Sequence, residues 1–218
     1  GQVSINDVLL SAIGSCGIDT VYLDRDQFNC ADVGQVWINL TAVSINGAVS
    51  TDSVEISVVD GIAPVIITQP ATLYLDDAGI ASLSVAQGDD GSSDACGLDT
   101  LYLNEELFDC STIGSFTVVL TGVDVNGNTA RANAPVNVLD TVSPDLTVQD
   151  ITIYLANSGS SSISATDVVT SSSDNCVNTF ASLSQSNFNC NHVGTNTVVA
   201  VISDASGNTA SASLTVTV

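Results

Sequence analysis

The chain has 218 residues, 44% of them hydrophobic, and 24 acidic side chains face only two basic ones, for a formal net charge of −22. Such a surface repels phosphate backbones and anionic headgroups, which argues against nucleic-acid and membrane-surface partners, while it attracts divalent cations and favours solubility. The absence of lysine excludes Schiff-base catalysis and Lys–Asn isopeptide crosslinks, and no run of 18 apolar residues exists to span a membrane.

The opening "GQVSINDVLL" has neither a basic region nor a cleavage site, so it does not read as a signal peptide. Methionine is absent, and the chain reads as a processed product or a piece of something longer. Few charges combined with many Val, Ile, Thr and Ser predict a β-rich fold rather than disorder.

The cysteines expose an internal repeat. Cys16 and Cys30, Cys96 and Cys110, and Cys176 and Cys190 form three pairs with equal spacing within a pair and an 80-residue period between pairs. The period extends beyond them: "DQFNCADVG", "ELFDCSTIG" and "SNFNCNHVG" align without a gap, as do "AVSINGAVS", "GVDVNGNTA" and "ISDASGNTA". The expected organisation is three copies, 1–60, 61–140 and 141–218, the first lacking its opening strands. Those strands belong to a segment cut away or to another segment or subunit, and the sequence leaves both open.

Copy two shows the elements most plainly. "PVIITQP" opens it, two alternating runs flank Asp77-Ala78-Gly79, and "LDTLYLN" adds a strand. "FTVVLTGVDV" and "ARANAPVNVL" flank Asn126-Gly127, a two-residue hairpin signal because both turn positions favour positive φ. No window has helical periodicity. About seven short strands per copy predict an all-β chain of tandem immunoglobulin-like β-sandwich repeats. Units this small have modest cores, which a covalent staple would support.

Three cysteine pairs at one place in three copies predict one disulfide per copy: Cys16–Cys30, Cys96–Cys110 and Cys176–Cys190. Disulfides place the chain outside the cytoplasm. The only histidine, His192, stands two residues after Cys190, but its equivalents are Asp32 and Thr112, so it is read as a bystander rather than a metal ligand. Phe188, Cys190 and Gly194 are the recurring positions there: a core anchor, half a bridge and a turn.

Oxygen-rich clusters raise a calcium reading. The candidate ligands are Asp60, Asp89, Asp90, Asp94, Asp124 and Asp140, with Asp174 beside Asn175 and Asp204 beside Asn208 as related acidic turns. The alternative is that Asp and Asn simply build turns. Copy one favours that alternative, because Gly14 replaces Asp94 and Asp174, and Ser44 replaces Asp124 and Asp204. A catalytic reading finds little vocabulary, since a Ser-His-Asp triad would need His192, which the other copies lack; the chain is read as a non-enzyme. Trp37, Tyr22 and Tyr102 lie in strand-like contexts and are read as core or sheet face rather than as a binding patch.

"DACGLDT", "FDCSTIG", "FNCNHVG", "ISDASGNTASASLTVTV" and the linker "VVDGIAPVI" together resemble the hyalin-like, immunoglobulin-like repeats of giant secreted Bacteroidota surface proteins, such as gliding adhesins of the SprB type and related filaments. The resemblance covers essentially the whole chain. It implies type IX secretion, an array of further repeats at the bacterial cell surface, and a part in adhesion, gliding or cell capture. It also implies O-glycans on Asp-Ser/Thr-apolar sites, here Thr20, Ser53, Thr100 and Thr141. The expected function is a structural stalk segment. The alternatives are a module that binds surface glycans or a protein, and a self-assembling homo-oligomer or filament subunit completed by a neighbour's strand.

Overall fold

The computed structural model describes residues 1–177 and 179–218. The chain divides into two compact units, Gly1–Ile67 with Gly91–Tyr102 and Thr121–Arg131, and Thr68–Asp90 with Leu103–Leu120 and Ala132–Val218. The division cuts through copy two rather than following the repeat, because one end of copy two is tied to copy one and the rest belongs with copy three.

Copy one forms a three-stranded antiparallel sheet of β1 (Ile18–Leu23), β2 (Gly34–Ser44) and β3 (Val49–Val58), in that order, preceded by one helical turn, α1 (Ile5–Val8). Ile38 and Phe28 are its buried apolar anchors. Arg25 stacks its guanidinium 4.7 Å from the Phe28 ring centroid while pairing with Asp32. Trp37, Tyr22 and Tyr102 stand on exposed sheet faces, with Trp37 65% exposed, so of the two readings of these aromatics the sheet face holds and the core does not.

Copy two contributes β4 (Ala71–Tyr74), β5 (Ile80–Ser82), the turn α2 (Val85–Gly88), β6 (Leu98–Leu103), β7 (Leu107–Asp109), β8 (Gly114–Asp124) and β9 (Thr129–Leu139). Copy three contributes β10 (Asp145–Val148), β11 (Ile151–Thr152), β12 (Ser160–Ser162), the turn α3 (Ala165–Val168), β13 (Val169–Ser173), β14 (Phe180–Leu183), β15 (Asn187–Asn189), β16 (Thr195–Ser203) and β17 (Thr209–Thr217). Copies two and three each have a four-stranded sheet, β4-β9-β8-β6 or β11-β17-β16-β14, whose first strand runs parallel to its neighbour. Facing it is a short antiparallel pair, β5-β7 or β12-β15.

The runs around Asp77-Ala78-Gly79 therefore flank a turn but do not pair with each other: β4 joins β9, and β5 crosses to β7. The Asn126-Gly127 signal does mark a turn, but the loop has three residues rather than the predicted two. The Asp124 N–H donates to the Asn128 carbonyl at 3.0 Å and the Gly127 N–H to the Asp124 carbonyl at 3.1 Å, so Val125 joins Asn126 and Gly127 in the loop, with Gly127 at φ +90.

The sandwich core of copy three is Ile163, Val168, Phe188, Val198, Ala200, Leu214 and Val216, drawn from both layers. Alternation supplies it: β16 and β17 bury every second residue toward Phe188. The equivalents Phe28 and Phe108 are also buried. One-turn helices, which the periodicity did not predict, recur at one site per copy. Their N-cap serines, Ser4, Ser84 and Ser164, pair with a side chain three residues on.

His192 is not a bystander. Its Nδ1 accepts the Asn189 N–H at 3.1 Å, as Asp32 Oδ2 accepts from Asn29 at 2.8 Å and Thr112 Oγ1 from Asp109 at 2.9 Å. The position requires an acceptor that caps the 3₁₀ turn carrying the cysteine.

The disulfides differ from the predicted pairing. They are Cys30–Cys96 and Cys110–Cys176, each spanning 66 residues, while Cys16 and Cys190 are free and exposed. The second cysteine of a copy bonds to the first cysteine of the next. Equal spacing along the sequence suggested closure within a copy, but the second cysteine faces the following copy. The sulfur of Cys30 lies 3.5 Å from the Ala95 carbonyl oxygen, and that of Cys110 lies 3.4 Å from that of Asn175. Gly79 makes room: at φ +72, a Cβ there would stand 2.7 Å from the Cys110 sulfur and 2.9 Å from the Asn175 oxygen. A bridge closing 66 residues stabilises by about 4 kcal/mol in the chain-entropy model.

Phe188→Ala is expected to cost about 3–5 kcal/mol, and His192→Ala, which removes one cap acceptor, about 1 kcal/mol. Urea unfolding with unchanged m-values measures both; equal costs would contradict the assignment of Phe188 to the core and His192 to a cap.

Candidate metal centre at the repeat junctions

Where one copy ends, its last aspartate enters the next copy's turns. Asp140 follows β9, and its backbone carbonyl accepts from Asn208 Nδ2 at 3.2 Å. Its Oδ1 accepts from the Val142 N–H at 3.1 Å and Asn175 Nδ2 at 3.2 Å, and its Oδ2 from Ser206 Oγ at 3.3 Å. Asp204 is fixed by one residue, since Asn208 donates its N–H to Oδ1 at 2.8 Å and Nδ2 to Oδ2 at 2.7 Å. Asp174, two residues before the bridged Cys176, accepts the Cys176 N–H on Oδ2 at 3.1 Å.

Carboxylate oxygens of Asp140, Asp174 and Asp204 lie within 4.8 Å of one another, with Asp140 and Asp204 only 6% and 5% exposed. The remaining Asp174 oxygen, Oδ1, is buried and has no hydrogen-bond partner among the described residues. An orphaned buried acceptor is costly. Burial pushes the Asp174 carboxyl up, and the neighbouring charges of Asp140 and Asp204 push it further, against a partial offset from the Cys176 N–H.

The donor set is three carboxylates, with Cys176 already bridged. That chemistry suits a hard divalent cation such as calcium better than zinc or copper, which favour nitrogen and sulfur ligands. Asp140, Asp174 and Asp204 would hold it, and its charge would neutralise the repulsion among them.

The earlier junction repeats this plan. Asn126 Nδ2 donates to Asp60 Oδ2 at 2.9 Å and Asn128 Nδ2 to the Asp60 carbonyl at 3.1 Å. Asp94 Oδ1 accepts the N–H groups of Cys96 and Gly97 at 2.7 and 3.2 Å. Asp60, Asp94 and Cys96 cluster within 4.8 Å, but the bridged Cys96 offers no thiolate, so this set is the poorer one. Asp124 is 2% exposed; burial pushes its carboxyl up, but hydrogen bonds from Asn128, Asn126 and Gly127 outweigh this and hold it below its ordinary value.

Of the sequence candidates, Asp60 and Asp94 meet at one junction and Asp140 at the other. Asp89 and Asp90 join neither cluster; the Asp89 N–H closes α2 against the Val85 carbonyl at 2.9 Å. Asp174 and Asp204 complete the buried set, and the signal for them was present. Copy one loses both carboxylates together with the paired asparagine, having Gly14, Ser44 and Ala48 where copies two and three have Asp, Asp and Asn. Joint loss marks a shared site, whereas a turn alone needs only the glycine. In copy one, Ser44 Oγ accepts the Ala48 N–H at 3.1 Å and keeps the turn. Thr20, Ser53, Thr100 and Thr141 are all exposed, and Ser53 Oγ donates to Asn39 Oδ1 at 2.7 Å.

The HYR domain family model matches residues 139–218, copy three with the end of β9. Among curated proteins no match is found. Solved structures that are similar include protocadherin gamma B7 extracellular cadherin domains 1–4, at 13% identity over 94% of this chain and 68% of that one, with a TM-score of 0.37. Mouse clustered PcdhgC3 EC1-3 is 12% identical over 88% and 80%, with a TM-score of 0.35, and Drosophila N-cadherin EC1-4 is 10% identical over 84% and 57%, with a TM-score of 0.38.

Because Asp174 is raised, cation-free stability falls as pH rises from the ordinary carboxylate value through the Asp174 value, and the penalty is complete above it. A calcium ion held by the three carboxylates would relieve that penalty. Millimolar calcium is therefore expected to raise Tm at neutral pH, with the shift shrinking to nothing as pH falls through the Asp174 value. Asp174→Asn should abolish the calcium shift while leaving the EDTA-treated protein at least as stable; scanning calorimetry reads both.

Proposed function

We propose that the chain is a mechanical segment of an extracellular adhesion-type repeat protein, in which successive copies are clamped by a disulfide and a calcium-binding acidic cluster. The observation that carries this reading is the bridge between copies. Pulled from its ends, the chain transmits force from Gly1 to Cys30, across sulfur to Cys96, on to Cys110, and across sulfur to Cys176. The segment enclosed by each bridge, whose cysteines are 66 apart in sequence, lies outside the tension path. A stalk built this way holds its length when a sandwich opens.

Support for the extracellular, adhesive setting comes from the HYR match to copy three, the disulfides, and the absence of any described helix long and apolar enough to cross a membrane. The finer reading is a stalk of a Bacteroidota surface adhesin of the SprB type, exported by type IX secretion, with glycans at Thr20, Ser53, Thr100 and Thr141 and further repeats as its main partners. It rests on the motif resemblance and the exposure of those four hydroxyls. A second reading, a module that binds glycan or protein, is favoured by Trp37 standing 65% exposed on a sheet face, since exposed aromatics are common anchors in recognition.

Single-molecule pulling separates these roles. With the bridges intact, unfolding should release only the residues outside them; a reductant should add roughly 22 nm of contour length per bridge, at about 3.3–3.6 Å per residue. Full extension without a reductant would end the mechanical reading.

A further inference from the structure

We infer that Cys190 is an outgoing bridge site, which takes as its partner the first cysteine of a further copy of this repeat. The inference rests on the two observed bridges and not on the mechanical role proposed above. Three features carry it.

The two sister positions of Cys190 are both bonded, and both by one rule, since Cys30 and Cys110 each bond the cysteine 66 residues ahead. The seat of Cys190 also repeats that of Cys110. Each cysteine opens a 3₁₀ turn capped by the residue before it, through Asp109 or Asn189, and each sulfur lies 3.8 Å from a glycine carbonyl, Gly79 or Gly159. Gly159 keeps φ +75, close to the +72 of Gly79. At Cys110 the other side of the sulfur is covered by the Asn175 carbonyl and Cys176 of the next copy, whereas Cys190 is free and exposed. Closure inside copy three is ruled out because Cys176 is already bonded.

Cys16 is the complementary, incoming type: it occupies the position of Cys96 and Cys176, and it too is free and exposed. A second copy of this chain therefore presents the cysteine that Cys190 takes. The step is thiol oxidation. Two thiols lose two protons and two electrons, forming one S–S bond, while oxidised glutathione accepts both and leaves as two glutathione thiols.

The test incubates the full chain with oxidised glutathione and digests the non-reduced multimers. Random pairing would give about twice as much Cys16–Cys190 linkage as either homotypic linkage. The inference predicts at least a tenfold excess of Cys16–Cys190 over Cys16–Cys16 and Cys190–Cys190, and a head-to-tail ladder on non-reducing gels. Cys190→Ser should remove the ladder while leaving the circular dichroism spectrum and the Cys30–Cys96 and Cys110–Cys176 peptides unchanged. Statistical pairing, mixed glutathione disulfides alone, or a ladder that survives Cys190→Ser would overturn it.

Discussion

A sulfur–sulfur bond that leaves one repeat and enters the next is the constraint on which the junctions depend. It fixes the Cys110 turn against the Asn175 carbonyl and demands glycine at position 79. It also fixes Asp174, two residues from the bonded Cys176, beside the last aspartate of the previous copy. Covalent closure makes the acidic cluster tolerable. The three carboxylates repel one another, yet the bridge and the Asn208 and Asn175 amides hold the segments that carry them together.

Charge gives the junction its second character. A chain with 24 acids and two bases cannot neutralise a buried carboxylate cluster from its own cations, and Arg25 is already engaged with Asp32. Relief has to come from protons or from an external cation. Protons act on Asp174, whose affinity for them is raised, and a divalent cation such as calcium would act where the carboxylates are ionised. Away from the junctions the same acidity keeps neighbouring molecules apart and the sheets soluble.

Periodicity made the strands legible. Alternation gave β8, β9, β16 and β17, Asn126-Gly127 gave a hairpin, and the recurrence of Phe28, Phe108 and Phe188 gave the core anchors. What periodicity hides is direction between copies. A cysteine pair recurring every 80 residues fits closure within a copy as well as closure to the next, and only the facing of the 3₁₀ turn decides. The acidic cluster is half legible: Asp60, Asp94 and Asp140 stand out as candidate ligands, with Asp174 and Asp204 beside them only as related acidic turns. Their loss in copy one, alongside Asn128 and Asn208, was the informative sign. His192 was misread for a related reason, because Asp, Thr and His look unrelated until the shared acceptor role is seen.

Mapping the disulfides of the unreduced protein by proteolysis and mass spectrometry decides whether the bridges run between copies. Peptides joining Cys30 to Cys96 and Cys110 to Cys176 are expected, with Cys16 and Cys190 open to alkylation. Peptides joining Cys16 to Cys30, Cys96 to Cys110 and Cys176 to Cys190 would contradict it.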